Sequence, residues 1–169
     1  MSPVLLGGRG NPSPPPPTPR RVCIVCSSGG HLAQLHCLDA WWTRQERFWV
    51  TFDKPDARSL LTDERVYYGH HPTNRNLKNL LKNTVLAVRV LARERPELIV
   101  SNGAGIAVPF FWIGKLVFGC RTIYVEVYDR VDSPTMTARL VHPVLDEMVA
   151  QWEDQRAFYP EAVVLGSVL

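Results

Sequence analysis

Residues 97–130 read ELIVSNGAGIAVPFFWIGKLVFGCRTIYVEVYDR, and the order of residue types in this stretch decides the fold. An apolar run, Leu98–Val100, feeds a small-residue turn, Ser101–Gly105, and then an apolar stretch of helix length. A β-branched run, Thr122–Val127, follows and carries one acid, Glu126, near its end. Strand, glycine turn, helix and strand make a βαβ unit, and parallel α/β sheets hold ligands at the carboxyl ends of their strands. An acid emerging there is expected to face a cleft.

The alternation continues on both sides. Arg21–Cys26 reads as a strand, Ser27–Gly30 as a loop and His31–Arg44 as a helix. Phe48–Phe52, Val66–Tyr68, Glu147–Gln151 and Ala162–Leu165 read as further strands. Short helices are expected near Asp56–Leu61 and Pro134–Val141, with a helical turn over Glu153–Phe158. The strongest helix is Asn76–Arg95, stopped by Pro96. Strands alternating with helices predict an α/β, doubly wound parallel sheet. On a helical wheel Leu77, Leu80, Leu81, Thr84, Val85, Val88, Leu91 and Ala92 share one broad arc. Arg75, Lys78, Lys82, Arg89 and Arg93 gather on the neighbouring arc. Such a stripe is either a solvated face or a contact with an anionic membrane surface or a lipid-linked diphosphate.

The first twenty of the 169 residues, MSPVLLGGRGNPSPPPPTPR, are rich in Pro and Gly and lack periodicity. They cannot bury enough apolar surface to offset ordering entropy, so 1–20 is expected to be a flexible tail and 21–169 one domain. Val4–Leu6 is too short for the apolar region of a signal peptide. Ile106–Cys120 carries Lys115 and falls short of the ~20 apolar residues that span a bilayer. The net charge of +3 does not argue for nucleic acid. Cys23 and Cys26 are spaced C-x-x-C, but inside a strand that spacing sends them to opposite faces, which suits free thiols rather than a redox pair.

Three segments carry candidate chemistry. Ser27-Ser28-Gly29-Gly30-His31 closes the first strand and opens a helix; glycines permit close backbone approach, and free amides at a helix start favour an anion. An ordinary βα turn also likes Gly and Ser, so the residue types alone leave both readings open. Ser101-Asn102-Gly103-Ala104-Gly105 has the start of a dinucleotide fingerprint, with Glu126 about twenty residues on as the ribose acid, but Val108 stands where its third glycine belongs and Pro109 follows, and no cofactor is expected. Glu126-Val-Tyr-Asp129-Arg130 is either a surface ion cluster or a group that orients hydroxyls and supplies a base. His70-His71 lack metal-ligand spacing with Cys or Asp, and no metal is expected.

Taken together, the motifs Ser27–His31, Asn76-x-Lys78-Asn79-Leu80, Arg95-Pro96-Glu97, Ser101–Pro109, Ile123–Glu126, Arg130-Val131, Gln151-Trp152 and Tyr159-Pro160 occur in the order of a known family. The chain resembles the membrane-associated, acceptor-side subunit of the two-subunit UDP-GlcNAc transferase that adds the second sugar to dolichol-linked oligosaccharide. Within it, the bacterial capsular and exopolysaccharide relatives are the expected branch.

The resemblance implies the Rossmann-like N-terminal, acceptor-binding half of a GT-B glycosyltransferase, active only with a separate C-terminal half that holds the nucleotide sugar. The sequence reaches Leu169 just where a one-chain enzyme would cross to its second domain. The implied reaction moves a hexose, GlcNAc or galactose, from UDP to a lipid-diphosphate-linked saccharide on the cytoplasmic face of a membrane, with peripheral attachment. His31 and Glu126 are the candidate bases, and Ser28, Gly29, Gly30, Asn102, Gly103, Gly105 and Arg130 the candidate substrate contacts. Lys78, Lys82, Arg89, Arg93, Phe110 and Phe111 are the candidate contacts with membrane or acceptor lipid. Two other classes fit the composition: a non-catalytic scaffold that recruits a partner to the membrane, and a self-contained nucleotide-binding enzyme.

Overall fold

Seven strands form one parallel sheet in the order β3-β2-β1-β4-β5-β6-β7 in the computed structural model, which describes residues 20–73 and 76–167. The strands are β1 (Arg21–Val25), β2 (Glu46–Phe52), β3 (Val66–Gly69), β4 (Leu98–Ser101), β5 (Arg121–Val125), β6 (Glu147–Ala150) and β7 (Val163–Val164). The helices are α1 (Gly30–His36), α2 (Asp39–Trp42), α3 (Pro55–Leu60), α4 (Leu77–Glu94), α5 (Ala107–Leu116) and α6 (Met136–Val141). The expected helix 31–44 is two short pieces broken at Cys37-Leu38, and residues 1–19 of the expected tail, with Arg75, lie outside the described residues. The strand order reverses between β1 and β4, the switch point at which doubly wound sheets open a crevice.

Both faces of the sheet are covered, which is why its strands read as continuous apolar runs. Val22, Ile24, Trp49, Leu98 and Val100 pack beneath Leu32, Leu35, Trp42 and Ala57 on the α1–α3 side. Cys23, Val25, Phe48, Val50, Ile99 and Tyr124 pack beneath α4–α6 through Ala87, Leu91, Phe110, Phe111 and Ala138. Cys23 and Cys26 therefore belong to opposite layers, as their spacing predicts, and all four cysteines are free. Burial raises the Cys26 thiol to about 12, so it is an inert core group.

The α4 helix has the expected limits. Asn76 Oδ1 accepts from Asn79 N at 3.0 Å, and Arg95 ends the helix in the left-handed region. Its orientation differs from the wheel. Asn83, Ala87, Val90, Leu91 and Glu94 face inward, whereas Leu77, Leu81, Val85 and Val88 are exposed. Two polar residues turn the helix. Asn83 Oδ1 accepts from His70 N at 2.8 Å and its Nδ2 donates to His70 O at 2.9 Å, while buried Glu94 receives Arg65 Nη1 at 2.8 Å and the Tyr67 hydroxyl. Paired in this way, both can be buried without the cost of an unmade hydrogen bond.

Candidate active site at the β1/β4 switch point

The loop after β1 and the loop after β4 meet at His31. Gly29 has φ 81°, a left-handed conformation that suits glycine, and it turns the chain into α1. Asn102, wholly buried at the end of β4, donates through Nδ2 to the His31 carbonyl at 2.8 Å. Gly103 has φ 132°, and a Cβ there would stand 2.9 Å from His31 Cε1 and 3.1 Å from the Tyr124 hydroxyl. Only glycine lets this backbone pass so close to the imidazole. Gly105 is set against Thr73, and Ser28 is half-buried beside the turn.

His31 is partly buried, and its Nδ1 is a buried atom without a hydrogen-bond partner; so is Asn102 Oδ1. Burial lowers the His31 pKa, and Asn102, Asp129 and Glu126 offset that only in part. The imidazole is thus held neutral through the range in which a base must carry a free lone pair. At the other expected anion contact, the Gly29 amide already donates to Asp56 Oδ2 at 2.6 Å. A negative side chain therefore occupies the place at the start of α1 where a free amide was expected.

Glu126 corrects the sequence reading. It is fully buried rather than in a cleft mouth. Its carboxylate accepts from Val127 N at 3.0 Å, from the Tyr159 hydroxyl at 2.5 Å and, at longer range, from Thr135 N and Oγ1 at 3.4 and 3.5 Å. Thr135 caps α6 by accepting from Ala138 N at 3.2 Å and pairs with the Tyr124 hydroxyl at 2.8 Å. The acid ties together the end of β5, the start of α6 and the segment before β7; it has no free face for a substrate proton. Gln34, Gln151 and Gln155 extend this framework, with Gln151 Nε2 donating to Glu126 O at 2.9 Å. In the sequence Gln151 stands out only as part of a family motif, and Gln34 and Gln155 carry no signal of this role. Arg130 is exposed in the 126–135 loop, and its carbonyl accepts from Gln155 Nε2 at 3.0 Å.

Phe110 and Phe111 are likewise not surface contacts. Both are fully buried because α5 lies on the sheet between α4 and α6. The large exposed apolar residues on these helices are Leu77, Leu80, Leu81, Val85, Val88, Trp112, Leu116, Met136 and Leu140. Lys78, Lys82, Arg89 and Arg93 are exposed on α4, on the arc that adjoins Leu77, Leu81 and Val85. Among the described residues no helix is long and apolar enough to cross a membrane, and no group of three or more His, Cys, Asp or Glu could hold a metal ion.

A family model described as "Oligosaccharide biosynthesis protein Alg14 like" matches residues 64–168. The chain belongs to the Alg14 family. UDP-N-acetylglucosamine transferase subunit ALG14 of Homo sapiens is 28% identical over 186 residues, covering 90% of this chain and 86% of its own. The subunits of Rattus norvegicus and Eremothecium gossypii are 24% and 27% identical, covering 91% and 99% of this chain and 87% of each relative. These relatives are eukaryotic, so the expected bacterial capsular branch finds no support among them. Acinetobacter baumannii MurG shares the fold with a TM-score of 0.66 at 16% identity, over 80% of this chain and 43% of its own. The UDP-GlcNAc 2-epimerase of Neisseria meningitidis, solved with UDP-GlcNAc, does so with a TM-score of 0.68 at 10% identity, over 87% and 46%. This chain spans less than half the length of either solved structure.

Proposed function

We propose that this Alg14-family chain is the acceptor-side subunit of a split UDP-GlcNAc transferase. A partner polypeptide holds the nucleotide sugar, and the acceptor is a lipid-diphosphate-linked saccharide at the cytoplasmic face of a membrane. The observation that carries the reading is the meeting of the β1 and β4 loops at His31, whose burial favours the neutral ring, in a chain matched by UDP-N-acetylglucosamine transferase subunits over nine-tenths of its length. The reaction is an in-line displacement. His31 Nε2 takes the proton of the acceptor hydroxyl as its oxygen bonds the anomeric carbon, and the bond to UDP breaks with its electron pair leaving on the diphosphate. Ser28, Gly30, Gly103, Gly105 and Arg130 contact the acceptor, and Asn102 holds the carbonyl of His31. Glu126 acts only by keeping the 126–135 loop in place.

Membrane attachment is peripheral and uses α4. Its exposed leucines and valines enter the headgroup boundary while Lys78, Lys82, Arg89 and Arg93 meet anionic lipid, the arrangement of an interfacial amphipathic helix. This favours a transferase subunit over a self-contained nucleotide enzyme, since the Gly29 amide is committed to Asp56. The test mixes this chain with a partner half, UDP-GlcNAc and a lipid-diphosphate acceptor. Turnover is expected only with both proteins present; turnover by this chain alone contradicts the split, and a partner half fully active without it supports the scaffold instead.

A further inference from the structure

We infer that Asn102 is the positioning residue that fixes the tautomer of His31: Asn102 Oδ1 takes Nδ1–H, and the lone pair of the neutral ring is left on Nε2. The orientation of the amide follows from its other contact. Nδ2 lies 2.8 Å from the His31 carbonyl, an atom that only accepts, so the amide cannot be reversed and Oδ1 is fixed on the opposite side. That oxygen is buried without a partner, and so is His31 Nδ1. Asn102 is tied by its amide to the residue that carries the imidazole, and the two unpartnered atoms are complementary, one able to donate and the other able only to accept. Gly103 confirms which edge of the ring is seated there. A Cβ at Gly103 would stand 2.9 Å from Cε1 and 3.4 Å from Nδ1, while Nε2 is not among the buried unpartnered atoms.

The chemistry of the pair explains why an amide rather than an acid occupies this position. A neutral imidazole with its proton on Nδ1 presents a bare Nε2, the form a base needs. An aspartate at 102 could also take Nδ1–H, but it would lose the donation to the His31 carbonyl, and its charge would favour the imidazolium and tie up the lone pair. The amide selects the tautomer and leaves the ring neutral, in line with the lowering of its pKa by burial. The catalytic meaning of this device rests on the reading of His31 as the base; the tautomer itself does not.

The test is two-bond ¹H–¹⁵N NMR of the imidazole in the ¹⁵N-labelled chain without partner, at a pH above the His31 titration. The wild type is expected to show a protonated Nδ1 and a bare Nε2. Asn102→Ala should move the population toward Nε2–H, and Asn102→Asp should keep the proton on Nδ1 while raising the titration midpoint. Gly103→Ala, which pushes the ring off its seat without touching the amide, should also lose the wild-type pattern. A wild-type ring protonated on Nε2, or an Asn102→Ala spectrum unchanged from wild type, overturns the inference. If Asn102→Ala does not fold, Asn102→Asp decides it, an unchanged midpoint being the contrary result. In the reconstituted pair Asn102→Ala should lower kcat by about tenfold or more with little change in KM, as expected for loss of the correctly protonated base. An inactive wild-type pair would remove the transferase reading and leave the spectroscopic result standing.

Discussion

Two strand ends on the same rim of the sheet carry titratable side chains, and they have opposite fates. At the end of β5, Glu126 is fully buried and its oxygens are met by Val127, Tyr159 and Thr135. Beside the ends of β1 and β4, His31 and Asn102 each keep one buried polar atom without a partner. A carboxylate whose oxygens are all met holds a structure together, while His31 and Asn102 have only each other to answer their inward-facing atoms, which leaves the other ring nitrogen, Nε2, outside the buried set and free for a ligand. Proximity to a parallel sheet's carboxyl edge does not separate the two; hydrogen-bond accounting does.

The comparison can be broken at the β5 end. Glu126→Ala removes the partner of the Tyr159 hydroxyl and of Val127 N, and each buried group left unpaired costs ~1–3 kcal/mol. A loss of about 3 kcal/mol in urea unfolding is expected, with a clear fall in Tm. Tyr159→Phe removes one donor and should cost about 1–2 kcal/mol. Wild-type stability in both variants would show that the cage is not structural.

Smaller effects sharpen the contrast elsewhere. Each of Lys78, Lys82, Arg89 and Arg93 changed to Ala should weaken binding to anionic vesicles by about 1 kcal/mol, and high salt should do the same. Leu81→Ser should also weaken vesicle binding yet change folding stability by only ~0.5 kcal/mol, because the side chain is exposed. Co-sedimentation with and without anionic lipid checks both; binding indifferent to charge and to Leu81 refutes the role of α4.

The smallest effect is in pH. Burial lowers the His31 pKa below the ordinary value of about 6.5, so the unfolded chain binds more protons than the folded one as pH falls through that region. The contribution of His31 to stability is therefore full above the unfolded value and is lost on acidification toward the folded one. Denaturant titrations of wild type and His31→Ala at pH 7.5 and pH 5 should show the larger acid loss in the wild type.

The sheet was legible because buried parallel strands are apolar on both faces and glycine turns mark their ends, as at Ser101–Gly105. The limits of α4 were legible from Asn76 and Pro96. Its orientation was not, since a wheel treats Asn83 and Glu94 as solvent-seeking and cannot see the partners, His70, Arg65 and Tyr67, that bring them inside. The same blindness sent Phe110 and Phe111 outward on paper: an apolar helix says that it will be covered, not by what. At the site, the glycines and His31 stood out in the sequence. The burial of Glu126 depended on Tyr159, 33 positions away, a contact no local pattern encodes.

The central claim is that His31 moves the proton and Glu126 holds the frame. Single-turnover rates of the reconstituted pair, measured for His31→Ala and Glu126→Gln beside their melting temperatures, test it most directly. His31→Ala is expected to melt like the wild type and to lose about 10²–10⁴-fold in rate, whereas Glu126→Gln should lose melting temperature and keep its rate wherever it remains folded. The reverse pattern, a stable Glu126→Gln without turnover beside a fully active His31→Ala, would contradict the account.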